Sequence, residues 1–153
     1  MECECDQDAD QGMAISLGAP GNGTWARLCN RVDQWGDNSI QGCVQIGAPG
    51  LLAAVHQVTL AVMGDSDLVW FFDDLARNFT GWDGARVWES MDRDLRVEAV
   101  FASHGYVSLT WTVKPWRHMD GNWTASTTVV LEAGEQMLQF ARDVHQFLGP
   151  VEP

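Results

Sequence analysis

The sequence predicts an α+β domain, an antiparallel β-sheet with two amphipathic helices (about 66–79 and 133–148) packed on one of its faces. Three observations predict it. Several short runs alternate apolar and polar residues with the two-residue period of a half-buried strand, and two longer ones carry apolar stripes of helical period. The order is strands, helix, three strands, helix, without the strict βαβ alternation of a parallel sheet. The glycine fingerprint of a doubly wound sheet is missing as well. Eight Trp and six Phe among 153 residues, 46% of them hydrophobic, supply enough apolar surface for one core and exclude a disordered chain. The domain is expected over residues 13–149, after an acidic tail over 1–12.

Met13–Leu17 reads as a first strand, closed by the loop Gly18–Gly23 with its Pro20 and three glycines. Thr24–Val32 and Ile40–Ile46 read as strands around the turn-rich Asp33–Ser39, and Gly47-Ala48-Pro49-Gly50 breaks the chain again. Ala53–Met63 alternates, with His56, Val58, Leu60 and Val62 on one face and Val55, Gln57, Thr59, Ala61 and Met63 on the other. Gly64 ends that strand, Asp65 is the expected N-cap, and Asp67 lies in the first turn where the helix dipole favours an acid. From Ser66 to Phe79, Leu68, Phe72, Leu75 and Phe79 form a core stripe with Phe71 beside it. Trp70 falls opposite, among Asp73, Asp74 and Arg77.

Gly81-Trp82-Asp83-Gly84 signals a turn. Leu95–Phe101, Tyr106–Lys114 and Trp123–Leu131 then form a three-strand meander, with Ser103-His104-Gly105 as one connection and 114–122 as the other. The second helix, from about Ala133 to Leu148, has Met137, Ala141, Val144 and Leu148 as its stripe, flanked by Phe140 and Phe147. Gly149-Pro150 ends it.

Charge narrows the function. The net charge of −12 argues against nucleic-acid binding, which needs clustered Lys and Arg. The longest apolar stretch, near Leu51–Met63, is interrupted by His56, Gln57 and Thr59 and is too short to span a membrane. An acidic N-terminus with no apolar run after it does not resemble a secretory signal. A cytoplasmic protein is therefore expected, with Cys3, Cys5, Cys29 and Cys43 as reduced, buried or incidental thiols and no weight on the sequons at Asn22, Asn78 and Asn122. No metal site or cofactor is expected, because the cysteine spacings match no zinc motif and His118-x-Asp120 offers two donors where zinc needs three or four. There is no Gly-x-Ser-x-Gly elbow, and the single lysine, Lys114, follows no phosphate-binding loop.

The informative stretch is 65–94, where eight acids face three arginines and tryptophans interleave. Trp70, Asp73, Asp74, Trp82, Asp83, Trp88 and Glu89 are the candidate residues for binding a basic protein partner. Indoles give large rigid contact area, and acids around them steer and select cations. The plainer reading folds Trp82 and Trp88 over the helix as a satellite core, with the acids as its solvated rim. An alternative function places a small ligand or substrate between sheet and helices, in a pocket lined by His56, Trp111 and Phe140. The carboxylate pairs Asp73–Asp74 and Asp92/Asp94 are expected by chance among 21 acids, and the oligomeric state stays open.

The runs Phe71-Phe72-Asp73-Asp74-Leu75-Ala76, Gly81-Trp82-Asp83-Gly84-Ala85-Arg86-Val87-Trp88 and Leu131-Glu132-Ala133-Gly134-Glu135-Gln136, with 104–109 between them, carry a resemblance. Together they resemble an uncharacterised bacterial family, domain of unknown function 6228, over roughly residues 50–148. Where that family usually reads Gly-His before the central strand, this chain has His104-Gly105. The resemblance implies no activity, cofactor or catalytic residue. In size, acidity and α+β pattern the chain is also similar in type to immunity proteins that neutralise toxins.

Overall fold

Glycines and short polar turns cut the first third of the described chain into hairpins, and a helix then interrupts the strand succession once. That interruption decides the architecture. The computed structural model describes residues 14–19, 22–115 and 122–149; the predicted acidic tail, Cys3, Cys5, Pro20, His118 and Asp120 lie outside them. The elements are β1 (Ile15–Ala19), β2 (Asn22–Val32), β3 (Ile40–Ala48), β4 (Leu51–Ala61), α1 (Asp67–Arg77), β5 (Ala85–Glu89), β6 (Leu95–Ala102), β7 (Tyr106–Val113), β8 (Ala125–Glu132) and α2 (Glu135–Leu148).

The single sheet expected from the sequence is two. Strands β1-β2-β3-β4 form one antiparallel sheet and β5-β6-β7-β8 another, each in sequence order. Because α1 intervenes between β4 and β5, hairpin pairing stops at each sheet's edge. α1 touches β4 and β5, α2 touches β8 and β1, and the two helices pack on each other; both also meet Trp111 on one face of the second sheet, through Phe72 and Phe140. One core joins all these elements. The second sheet also gains a fourth strand, β5, which the sequence reading left unassigned. Its Ala-Arg-Val-Trp-Glu run puts a charge on each face and so hides the apolar alternation.

Two phase errors have local causes. In β4 the backbone of Gln57 adopts a left-handed φ of 58°, and the register with β3 slips by one residue between Val55 and Val58. This bulge turns both valines to the core. His56, read beforehand on the face of Val58 and Leu60, is instead half-buried and next to an exposed Gln57. At α1 the cap is Ser66 rather than Asp65. Its hydroxyl accepts from the Val69 N–H (3.3 Å) and donates to the Leu60 carbonyl (2.8 Å). The helix stops at Arg77, where the Asn78 side-chain amide donates to the Asp74 carbonyl at 2.6 Å. Phe79 therefore leaves the expected core stripe and is 60% exposed.

The stripe of α2 matches its reading, with Met137, Phe140, Ala141, Val144, Phe147 and Leu148 buried. Its carbonyl end is tied to the first sheet. Arg31 of β2 donates from Nε to Phe147 O (2.7 Å) and from a terminal nitrogen to Gly149 O (3.0 Å), placing a cation where the helix dipole is negative. On β3, Gly47 allows the Trp25 indole to lie across the strand; a Cβ there would run into the ring.

The expectation of reduced thiols fails at one pair. Cys29 and Cys43 face each other across β2 and β3 and are joined as a disulfide, and no cysteine is free among the described residues. Facing positions on paired strands bring the sulfurs together, a proximity that sequence spacing conceals. Removing the bond with the double substitution Cys29→Ser and Cys43→Ser is expected to cost about 2–4 kcal/mol. Urea midpoints with and without reductant should differ for the parent chain and coincide for the variant.

Candidate functional site

The tryptophans and acids of 65–94 separate into three settings. Trp82 is half-buried against the core and meets Phe101 edge to face, with centroids 5.3 Å apart. Its Nε1–H donates to the Ala99 carbonyl at 3.4 Å. The guanidinium of Arg86 lies 4.8 Å from the Trp82 ring centre and reaches Asp74 Oδ2 at 2.9 Å. Trp82, Arg86 and Asp74 thus form a chain of contacts binding the 81–84 turn and β5 to α1. Gly81 belongs to this arrangement. Its φ is +117°, and a Cβ would press on the Phe101 ring at 3.1 Å. Trp82 and Asp74 are thus engaged in contacts within the chain. Asp83 is exposed, on the rim of an open recess lined by Thr80, Gly81, Trp82, Phe101, Ala102 and Ser103.

Trp88 has a different setting. It is half-buried on β5 and packs against the core. It also lines an open groove of about 430 Å³ between the outer strands of the two sheets, with Thr59, Leu60, Ala61, Val62, Asp65, Asp67, Glu89 and Met91. Three carboxylates line this groove and no basic side chain does. Met91 is 72% exposed and Val62 39% exposed. Arg93 comes within 3.7 Å of Glu89, but the pair is solvent-exposed and such a contact contributes little.

Trp70 completes the surface. It is 61% exposed, one turn beyond Asp67 and one turn before Asp73 and Asp74 on α1, so the indole on the polar face anticipated from the wheel is present. The groove's Asp65, Asp67, Val62 and Met91 were missed as site residues: the first three were read as a cap, a first-turn acid and a strand position, and Met91 lies in a stretch given no element. Exposed Trp35 and Met63 lie on the segments next to it. Their loops are stitched together by Met63 N–H to Ser39 Oγ (3.0 Å) and Gly64 N–H to the Asn38 carbonyl (2.9 Å). A tryptophan inside a turn-rich segment was the available signal for Trp35.

Of the residues assigned to the alternative pocket, Trp111 and Phe140 are core members. Trp111 stacks on Phe72 (6.0 Å, 23°), and Phe140 meets Phe72 (5.0 Å, 73°) and Trp111 (6.2 Å, 81°) at steep angles. Trp111 has no exposed surface. His56 stands apart on β4, beside the bulge. Among the described residues no three His, Cys, Asp or Glu side chains are grouped to hold a metal ion, and no helix is long and apolar enough to cross a membrane.

Fold and groove together define a mostly β domain of two antiparallel sheets and two helices with an acidic, aromatic surface. The chain belongs to a family of unknown function, DUF6228, whose family model matches residues 17–151. The match takes in the first sheet as well as the region of the motifs. No curated protein and no solved structure matches the chain.

Proposed function

We propose that this protein is a non-enzymatic interaction module that binds a basic partner protein through the groove and α1 surface bearing Trp70, Trp88 and Glu89. An immunity or inhibitor protein that neutralises a basic toxin is the particular form this takes. The observation that carries the reading is the groove itself. Asp65, Asp67 and Glu89 line it with Trp88, Val62 and Met91 and no base among them, and the exposed indole of Trp70 stands one turn beyond Asp67 on α1. Acids of one sign in a concave surface raise the local concentration of cations and speed their encounter. Exposed indole and thioether surface then holds what the charge has steered.

The test starts from tagged protein captured with its partner at low salt and released at high salt. Affinity for the recovered partner is expected to fall steeply with salt. Trp70→Ala should weaken binding by about tenfold or more, roughly 1.4 kcal/mol or more. The melting temperature should stay unchanged, because an exposed side chain contributes within about 0.5 kcal/mol to stability. Binding indifferent to both salt and Trp70→Ala overturns the proposal.

A further inference from the structure

The four outer strands are not equally guarded against pairing with another chain. β1 is irregular at Gly18, and β4 carries two register slips along its length. β8 lies against β2 and α2. β5 lacks the bulge, Pro, Gly and Lys that guard such edges: its register with β6 is unbroken from Ala85 to Glu89. Its inward charge, Arg86, is already paired with Asp74.

The direction of its free backbone groups follows from the ladder. Ser90 N–H donates to the Leu95 carbonyl at 2.9 Å, so in antiparallel alternation Trp88 with Val97 and Arg86 with Ala99 are the bonded pairs. The N–H and C=O groups of Ala85, Val87 and Glu89 then point to the open edge, and no other described residue bonds them. On the inner side of this edge Trp88 lines the groove with Asp65 and Asp67, while Glu89 borders it from the outer row of Val87. On the outer side Val87 is 46% and Val100 41% exposed.

We infer that the open edge of β5 accepts an extended basic segment of the partner as an added strand. Its alternate cations face the acidic groove, and the apolar residues between them lie beside Val87 on the outer face. This rests on the interaction reading above and names the form of the recognised segment. Charge commits the occupant: a second copy of a chain with net charge −12 would bring like charge to an acidic edge, whereas a basic segment is complementary.

The probe is a short peptide of alternating arginine and valine, compared with the same peptide N-methylated at every second amide, which keeps the charge and blocks strand pairing. The unmethylated peptide should bind the full chain at low salt and the methylated one about tenfold or more weaker, a factor that corresponds to roughly 1.4 kcal/mol. Val87→Pro should cause the same loss with an unchanged melting temperature, since the amide it removes points off the β5–β6 ladder. Equal binding of the two peptides, binding of neither, or full binding by a folded Val87→Pro overturns strand addition. If Val87→Pro fails to fold, the two peptides decide on the parent chain. A dimer of the parent chain that Val87→Pro converts to monomer assigns the edge to self-pairing and overturns the proposed occupant. Salt and Trp70→Ala sensitivity of the captured partner would leave the acidic-surface reading standing when strand addition fails.

Discussion

Trp111→Ala is expected to destabilise the protein by about 3–5 kcal/mol, the range for removing a large aromatic from a packed core. Trp111 sits on β7, an inner strand of the second sheet, opposite Val97 of β6 and Thr127 of β8. It has no exposed surface and packs on Phe72 of α1 and Phe140 of α2. Truncation therefore opens a cavity where both helices meet the sheet, and three elements lose contacts at once. The indole Nε1–H is buried without a hydrogen-bond partner among the described residues. Trp111→Phe removes that unpaired donor while keeping a ring, so it should cost much less than the alanine variant. Urea denaturation of the three proteins checks the order. An alanine variant within about 1 kcal/mol of the parent would mean that the three rings do not form the joint of the fold.

Ser90→Ala is expected to be the second large loss, about 3 kcal/mol or more, because each buried polar group left unpaired costs about 1–3 kcal/mol. The Ser90 hydroxyl accepts from the Asp94 N–H (3.1 Å) and the Leu95 N–H (3.0 Å) and donates to Asp94 Oδ1 at 2.6 Å. Ser90 and Asp94 are both buried. Without the hydroxyl, two backbone donors and a carboxylate lose their partner in the turn that joins β5 to β6.

The pH dependence of the same turn has a definite sign. Burial pushes the Asp94 carboxyl above its ordinary value of 3.8, with the Asp92 charge adding to the rise and the bonds from Ser90 and the backbone opposing it. The folded state thus binds this proton more tightly than the unfolded one. The contribution is fully present below the ordinary carboxylate value and is lost as pH rises through the raised one. Asp94→Asn keeps an oxygen to accept from Ser90 and does not ionise. The difference in stability between Asp94→Asn and the parent should shift in favour of the variant as pH rises through the carboxylate range. Urea midpoints measured across that range decide it; a difference that is flat or moves the other way sinks the account.

The helices and most strands were legible because their signal is local. Met137, Ala141, Val144 and Leu148 repeat with helical spacing, and Leu95, Val97 and Ala99 alternate; these patterns follow from backbone geometry and survive in any fold that buries one face. The errors share a cause. The bulge at Gln57, the cap at Ser66 instead of its acidic neighbour and the exposure of Phe79 each turn on a single residue's conformation. Periodicity averages over a window and passes across such points. The site was half legible for the same reason. Trp70 on the polar side of α1 and the density of acids over 65–94 are properties of one segment, whereas the groove needs β4 and β5 brought side by side.

By itself the amino-acid sequence determined an α+β domain with two amphipathic helices, a strongly acidic chain, and an indole set among carboxylates where a helix should be polar. The number of sheets, the Cys29–Cys43 pairing, the pairing of Asp74 with Arg86 and the groove around Trp88 were decided only in three dimensions. Period and composition report which way a side chain faces along its own segment. Which strand ends a sheet, and which distant residue fills the space beside it, depends on how the segments dock, and docking is set by packing of the whole core.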